Sequence, residues 1–358
     1  MVKARIFGTR VKRLRKEMRR RNIDASLFLS LAPVYDSSVE YLTGYRQERG
    51  YAFSCLLIKH DASMLLVSPL EYEQACEKAC VDEVIKLDKR RLSEELKPLL
   101  KGVRTIGVSE RLFPLKLAKS LRGKRFVDVE KTMLEIRSVK DESEIELIKK
   151  ACGITNYCLR ALEQEIIPGK KEVEIAMFLQ RVMKEKGAEC EAFPIIVAGG
   201  KRSGLIHPYP AASNNAFFHG IIDFGVRYEG YCTDVTVACL SEGNAEQKRA
   251  AEVIENVHRA VREAAKPGIA CRTLFEIYER ISEAHGYEVK HALGHGIGLD
   301  VHEMPNLSPR EEQKLRANMV FTVEPGYYFK NFGVRLENDF ILTARGIKPL
   351  TKASFLVL

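Results

Sequence analysis

Hydrophobic and polar residues follow one pattern in the first third of the chain and another in the rest. In residues 1–128, short apolar runs of strand composition alternate with segments whose apolar residues recur at helical spacing. This pattern predicts strands at 25–31, 51–59, 63–68, 84–87, 105–109 and 125–129, and helices at 38–43, 71–79, 92–100 and 112–121. Strands that alternate with helices indicate a mixed α/β domain. The segment contains neither a nucleotide-binding loop nor an acidic cluster.

From residue 129 onward the predicted helices are longer and the strands come in pairs. Helices are predicted at 141–166, 172–187, 244–265 and 274–284, and apolar β-rich segments at 217–226, 231–240, 320–329 and 333–343. A chain of 358 residues is long enough for two domains. We therefore predict a smaller α/β domain over residues 1–128 and an α+β domain over residues 129–358.

The first pair of β-rich segments carries two aspartates. The segments flank the turn 227–230, which ends in a glycine, so they are typical of a β-hairpin. Folding about that turn places Asp223 opposite Asp234 on one face of the ribbon. Two facing carboxylates repel, and their burial without a partner is costly. Either a cation lies between them, or the pair is exposed or shares a proton.

The second pair of segments repeats this arrangement near the C-terminus. Folding it symmetrically about residues 330–332 places Glu324 opposite Glu337. Between the two hairpins lies His295, with Gly294 and Gly296 on either side, and we expect these glycines to let the backbone approach a metal closely. Four carboxylates and an imidazole suit a pair of divalent ions such as manganese, cobalt, iron or zinc.

In order and context, these five residues resemble the creatinase/prolidase/aminopeptidase P family of metallopeptidases. The resemblance extends to the phrases Gly-His-Gly-Ile-Gly-Leu-Asp-Val-His-Glu at 294–303, Glu-Pro-Gly-Tyr-Tyr at 324–328 and Gly-Val-Arg-Leu-Glu-Asn-Asp at 333–339, and covers nearly the whole chain. It implies the pita-bread fold, in which helices back a curved antiparallel sheet, preceded by a creatinase-like N-terminal domain. It also implies a homodimer and hydrolysis of the bond between any first residue and a proline.

The resemblance further assigns roles to individual residues. Asp223 is expected to bind one ion, His295 and Glu324 the other, and Asp234 and Glu337 both ions, with a water or hydroxide completing the bridge. Glu324 is also the expected proton shuttle. His207 and His302 are expected to face the substrate and stabilise the tetrahedral intermediate, and His291 matches a further site position. Arg335 is expected to pair with the carboxylates. Tyr328 either hydrogen-bonds the intermediate or belongs to the core.

Two alternatives concern the substrate. A dipeptidase of the prolidase type is favoured over an Xaa-Pro aminopeptidase that acts on longer peptides, because the length and the compact N-terminal domain resemble prolidase. A dipeptidase needs a cation for the free carboxylate of its substrate, and Arg310 is the candidate. Three differences from many relatives lie near the pocket, namely Val237, Tyr327 and a shorter spacing between Glu324 and Glu337. A third alternative is a non-enzymatic binding protein, against which the complete ligand set argues.

Charge and cysteine content limit which partners and which cellular compartment are expected. The net charge is +9, but residues 1–24 hold ten Lys or Arg and two acids, a balance of +8, which leaves +1 for the rest. Val11, Leu14 and Met18 form an apolar stripe there, so we expect a surface helix that docks through this stripe rather than a nucleic-acid contact. Nine scattered cysteines favour a reducing, cytoplasmic compartment. No apolar run of membrane-spanning length and no signal pattern is present, so no membrane association is expected.

Overall fold

The structure, a computed structural model, describes residues 2–47, 53–166 and 168–358. The chain divides into two compact units, Met1–Arg137 and Ser138–Leu358. No helix of the described residues has the length and apolar character needed to cross a bilayer.

The first unit is built around one six-stranded mixed sheet. Its helices are α1 (Val2–Arg20), α2 (Ser37–Thr43), α3 (Tyr72–Lys78), α4 (Leu92–Leu99), α5 (Leu115–Ser120) and α6 (Glu130–Ser138), the last ending one residue into the second unit, and its strands are β1 (Ala25–Leu31), β2 (Phe53–Lys59), β3 (Ser63–Val67), β4 (Glu83–Lys86), β5 (Thr105–Val108) and β6 (Arg125–Asp128). The strand order is β4-β3-β2-β1-β5-β6, in which β1 pairs antiparallel with β2 and parallel with β5. The predicted mixed α/β character of this unit is confirmed.

Three details of the first unit differ from the pattern-based prediction or lie beyond it. The fifth helix begins at Leu115 rather than at residue 112, because Pro114 disfavours helical backbone at the residue before it. The predicted start of the second strand, at residues 51–52, lies outside the described residues. The helix α6 belongs mostly to this unit, since Arg21 of α1 donates to Thr132 Oγ1 at 2.8 Å. The division therefore falls after Arg137, whereas the sequence pattern placed it after Asp128.

The basic segment at the start of the chain forms helix α1. Its predicted apolar stripe is buried, with Val11, Leu14 and Met18 at 7, 0 and 1 % exposure. The docking of this helix through its apolar face is therefore confirmed.

The second unit combines long helices with mainly antiparallel sheets. Its helices are α7 (Glu142–Glu165), α8 (Glu172–Glu185), α9 (Ala245–Ala264) and α10 (Cys271–Ala284); its strands are β7 (Cys190–Glu191), β8 (Ile196–Gly199), β9 (Gly220–Phe224), β10 (Val226–Tyr228), β11 (Tyr231–Cys232), β12 (Val235–Leu240), β13 (Gly294–Gly296), β14 (Glu303–Leu307), β15 (Val320–Val323), β16 (Gly326–Tyr328), β17 (Gly333–Arg335), β18 (Asn338–Thr343), β19 (Gly346–Pro349) and β20 (Leu356–Val357). A short 3₁₀ helix spans Gly200–Gly204. The α+β class predicted for this region is confirmed.

Two sheets of this unit carry the candidate site. One has the order β20-β12-β9-β8 and the other β14-β13-β15-β18-β19. A backbone bridge joins them, in which the N–H of Glu337 donates to the carbonyl oxygen of Thr236 at 3.1 Å. Apolar residues of α7 to α10 pack with both sheets in one core, as shown by Leu159, Val257 and Phe321. The helices thus fix the sheets, and the bridge brings the two acidic hairpins together.

Helix α10 is tied to the second acidic hairpin by a buried tyrosine. The Tyr278 hydroxyl donates to Gly326 O at 2.8 Å and accepts from Gly326 N at 3.1 Å, and its side chain is fully buried. We expect Tyr278→Phe to lower the free energy of unfolding by about 1–3 kcal/mol, because it removes a buried partner from both backbone groups. Denaturant unfolding measures this, with the partly exposed Tyr157→Phe as a matched control. An equal effect of the two variants would contradict the role of the hydroxyl.

Candidate metal centre

The first acidic hairpin folds about a tighter tip than the sequence pattern indicated. Glu229 and Gly230 form a two-residue tip, both with positive φ, 48° and 83°. Asp223 is therefore paired with Thr236, and its predicted position opposite Asp234 is wrong. A shift of two positions keeps a side chain on the same face of a strand. The two carboxyl groups accordingly remain within hydrogen-bonding reach of each other.

The second acidic hairpin has the predicted register. Its strand pairs on either side of the two glutamates are Val323 with Asn338 and Gly326 with Arg335. Glu324 and Glu337 are therefore opposite each other, as the symmetric folding predicted. Because Glu337 also forms the bridge to Thr236, its carboxylate lies beside those of the first hairpin.

His295, on β13, points its free ring nitrogen at the carboxylates. Its Nε2 lies 3.6 Å from both Asp234 Oδ2 and Glu324 Oε1. Its Nδ1 lies 3.2 Å from the carbonyl oxygen of Gly296, which can only accept, so Nδ1 carries the proton and Nε2 offers a lone pair. Atoms of Asp234, His295 and Glu337 all lie within 4.8 Å of one another. The structure thus brings the predicted histidine and carboxylates together.

The glycines around His295 serve strand packing. A Cβ on Gly294 would lie 2.1 Å from Thr322 O, and one on Gly296 would lie 2.2 Å from Met304 O. The sequence pattern was interpreted as allowing the backbone to approach a metal. The described contacts instead show that the neighbouring backbones require these glycines.

Burial and mutual repulsion disfavour the charged form of every acid in the cluster. Burial raises the pKa of Glu324 to about 8. Burial, followed by repulsion from Glu337, Asp223 and Glu324, holds the pKa of Asp234 well above its usual range, and the pKa of Glu337 is raised in the same way. Burial lowers the pKa of His295 to about 4. Without a counter-ion the cluster therefore favours neutral carboxyls and a neutral imidazole.

This donor set fits divalent cations. Asp223 Oδ1 and Glu337 Oε1 are buried and find no hydrogen-bond partner within the described part of the chain. Buried, unsatisfied carboxylate oxygens beside a neutral imidazole are what borderline-hard divalent ions bind. The residues could thus hold such ions, which would offset the repulsion that raises the carboxyl pKa values.

Arg335 connects the acids to a hydrogen-bonded chain. Its Nη2 contacts Asp223 Oδ2, its Nη1 donates to Tyr328 Oη at 2.8 Å, and its Nε donates to Thr236 Oγ1 at 2.9 Å. His291 Nδ1 lies 2.8 Å from the carbonyl oxygen of Ala292 and so carries the proton. Its Nε2 must then accept from the Tyr328 hydroxyl at 3.0 Å. The open alternative for Tyr328 is thus resolved in part: its ring is buried, and its hydroxyl belongs to the site's network.

We expect Arg335→Lys to weaken the binding of divalent metal and to lower kcat/KM for the expected Xaa-Pro substrate by about 10- to 100-fold. The reason is that a lysine cannot make all three contacts at once. Steady-state kinetics and metal titration measure this. The exposed pair of Arg181 with Glu185 offers the control Arg181→Lys, which should be neutral. Unchanged metal affinity in Arg335→Lys would contradict the role.

The two remaining predicted histidines are exposed beside the acids. His302 lies next to His295, with ring centroids 4.1 Å apart. His207 lies in the loop between the 3₁₀ helix and β9 and interacts electrostatically with Asp223 and His302. Arg310 is exposed in the turn after β14, and its predicted contact with a substrate carboxylate stays a prediction.

Sequence reasoning missed a fifth acid of the cluster. Asp339 is fully buried, and its Oδ2 accepts from the backbone N–H of Asp234 at 3.2 Å. Burial raises the pKa of this carboxyl well above its usual range. The signal was present, because the two-residue period of a strand places Asp339 on the same face as Glu337.

Comparisons with known proteins agree with this geometry. Residues 146–344 match the profile of metallopeptidase family M24, and residues 10–139 match the creatinase/prolidase N-terminal domain. The chain is 35 % identical to an Xaa-Pro dipeptidase of Pyrococcus horikoshii over 97 % of this chain and 98 % of that protein. It is 34 % identical to an Xaa-Pro dipeptidase of Pyrococcus furiosus over 83 % of this chain and 86 % of that protein.

Solved structures show the same fold. The prolidase of Pyrococcus horikoshii has a TM-score of 0.88 at 35 % identity, covering 97 % of this chain and 99 % of that one. An X-Pro aminopeptidase of Thermotoga maritima has a TM-score of 0.86 at 32 % identity, with the same coverage. The predicted fold, a creatinase-like domain followed by a pita-bread catalytic domain, is confirmed.

Proposed function

Because this chain belongs to metallopeptidase family M24, we propose that it hydrolyses Xaa-Pro bonds, as an Xaa-Pro dipeptidase that uses two divalent cations. The observation that carries the proposal is the convergence of three buried carboxylates, the partly buried carboxylate of Glu324 and one neutral imidazole, with atoms of Asp234, His295 and Glu337 within 4.8 Å of one another, in a chain whose relatives include Xaa-Pro dipeptidases. The cations would be manganese or cobalt, with iron or zinc as alternatives, since all five ligands accept several first-row ions.

The ligand roles are those that the resemblance implies. Asp223 would help to hold one ion and His295 and Glu324 the other, and Asp234 and Glu337 would contribute to both. When bound, the two cations would activate a water molecule and polarise the scissile carbonyl.

The chain's own side chains would orient the substrate and move the proton. Glu324, whose Oε1 faces His295, would take a proton at a carboxylate oxygen and deliver it to the leaving nitrogen. The exposed rings of His302 and His207 would donate to the carbonyl oxygen as it gains charge. Arg335, His291 and Tyr328 would hold these groups through the contacts described above.

Assembly and compartment belong to the same proposal. We propose a homodimer, which the resemblance implies. The nine cysteines are free in the structure, which supports a reducing, cytoplasmic compartment.

The competing candidate is an Xaa-Pro aminopeptidase acting on longer peptides. The similarity to the Thermotoga maritima X-Pro aminopeptidase favours it, at 32 % identity. The two differ in whether the substrate's free carboxylate contributes to binding.

We expect kcat/KM for an Xaa-Pro dipeptide to exceed that for the corresponding Xaa-Pro-Yaa tripeptide, measured with manganese and with cobalt. Xaa-Ala dipeptides provide the control for the proline ring. Equal or faster cleavage of the tripeptide would reject the dipeptidase. Failure to cleave either Xaa-Pro substrate with any of the four metals would reject the activity itself.

A further inference from the structure

The loop that carries His207 has little apolar anchorage of its own. Residues 199–213 run from the last residue of β8 through the first part of the connection to β9, and are here called the His207 loop. Two of its three large apolar side chains are mostly in solvent, with Leu205 57 % and Tyr209 95 % exposed, and Ile206 is partly buried. Among its apolar residues the smaller Pro208, next to His207, is buried, and Ala212 packs against the core while partly buried. Polar contacts must therefore supply most of what fixes this loop.

One buried carboxylate holds both ends of the loop. Glu172, the first residue of α8, is fully buried. At the start of the loop, its Oε1 accepts from the Gly199 N–H at 2.7 Å. At the end of the loop, its Oε2 accepts from the Ser213 N–H at 3.0 Å and from the Ser213 hydroxyl at 2.7 Å. Hydrogen bonds to an ionised acceptor are the strong ones.

An arginine of the loop connects Glu172 to the part of the loop near His207. Arg202 Nε lies 3.1 Å from Glu172 Oε2, and its Nη2 donates to the carbonyl oxygen of Pro210. The carboxylate thus reaches, through Arg202, the residue that lies three positions after His207.

The middle of the loop is fixed against the hairpin that carries Tyr328 and Arg335. The Gly333 N–H donates to Ser203 Oγ at 2.8 Å. Gly204 is pressed on the same hairpin, since a Cβ there would lie 2.2 Å from Phe329 O. The loop is therefore held at both ends by Glu172 and near residues 203–204 by the hairpin. His207 lies between the hairpin contact and the contact at Ser213.

We propose that Glu172 is a positioning residue for His207: it holds the His207 loop so that the imidazole faces the reacting carbonyl. The proposal rests on the proposed function for what His207 does, but not for what Glu172 holds. Glu172 contacts the ends of the loop rather than the acids, so the proposal assigns its effect to the loop; because Gly199 is also the last residue of β8, bound metal is measured alongside. Glutamine has nearly the same shape but replaces one acceptor with a donor, which opposes the N–H groups it faces.

The kinetic test is a double-mutant cycle. We expect Glu172→Gln to lower kcat/KM for an Xaa-Pro substrate by about 10- to 100-fold, since misplacement by an ångström carries a cost of that size. Ser213→Ala, which removes one contact, should cost less. In a His207→Ala background, Glu172→Gln should cost nothing further. Additive losses would overturn the proposal. The exposed Glu185→Gln on the same helix is the control and should match the wild type.

Amide hydrogen exchange tests whether Glu172 holds the loop, without relying on activity. Exchange in residues 200–213 of Glu172→Gln should rise, while the rest of the protein and the bound metal per chain stay as in the wild type. Unchanged exchange in the loop, or loss of bound metal, would overturn the proposal. If the wild type fails to cleave Xaa-Pro bonds, the proposed function falls, and the exchange result still decides whether Glu172 holds the loop.

Discussion

Asp234→Asn should hydrolyse Xaa-Pro substrates about 1000-fold more slowly than the wild type, and yet its metal-free form should be the more stable of the two at pH 8. The loss of rate follows from the loss of an oxygen that would bind both cations. Lewis-acid stabilisation worth several kcal/mol corresponds to about three orders of magnitude at 1.36 kcal/mol per decade.

The gain in stability has a separate cause. Burial and the neighbouring acids disfavour the charged form of Asp234, so at pH 8 the metal-free folded protein retains a proton that the unfolded chain has released, and asparagine removes this cost. We expect the melting temperature of the chelated variant to lie a few degrees above that of chelated wild type, at about 2–4 °C per kcal/mol. The exposed Asp61→Asn should change neither quantity. A chelated Asp234→Asn that melts below chelated wild type would contradict this explanation.

The metal-free protein should lose stability as pH rises from about 6.5 to 8.5. The folded pKa of Glu324 is about 8, against 4.5 for an unperturbed glutamate. A group with a raised folded pKa contributes stability that is complete below its unfolded pKa and is lost as pH rises through the folded value. Within that window, the free energy of unfolding should fall by up to about 1.4 kcal/mol per pH unit for this group. Asp234 and Glu337 act in the same direction.

The lower limit of this window is set by buried imidazoles. The pKa values of His258, His291 and His295 are each lowered to about 4, mainly by burial. Their contribution has the opposite sign, because it is lost as pH falls from about 6.5 towards 4. Well above pH 6.5 these imidazoles are neutral in both states, so the carboxyls dominate the slope there. Near pH 8.5 buried thiols such as Cys239, whose pKa burial raises, add to the decline equally with and without metal.

Denaturant unfolding of chelated and metal-loaded protein at several pH values measures this effect. Bound cations would keep the carboxylates ionised, so the loaded protein should show little or no decline between pH 6.5 and 8.5. Glu324→Gln should have a shallower slope than wild type in the chelated state. Parallel profiles with and without metal would contradict the assigned cause.

The larger elements and the identity of the cluster could be predicted from the pattern of residues. Alternating apolar runs indicated the mixed sheet of the first unit, and the register of the second acidic hairpin followed from the symmetry of its two strands. That register is set by a short tip, since Tyr328 pairs with Gly333 and the Phe329 N–H donates to the carbonyl oxygen of Phe332, which leaves only residues 330 and 331 between the strands.

The details that failed depended on backbone conformation or on distant contacts. The first hairpin could fold about a four-residue or a two-residue turn. The structure has the two-residue turn, which requires a positive φ at Glu229, and a positive φ is uncommon for a residue with a side chain. The roles of Glu172 and Arg202 were likewise hidden, because their partners lie up to 41 positions away along the chain. Neither hydrophobic period nor motif spacing encodes such pairs.

The most direct test is the rate of Xaa-Pro dipeptide hydrolysis by exhaustively chelated protein as manganese or cobalt is added back, with bound metal counted in parallel. The proposed account predicts a negligible rate without metal and full recovery as two ions bind each chain. A rate undiminished by chelation would contradict it.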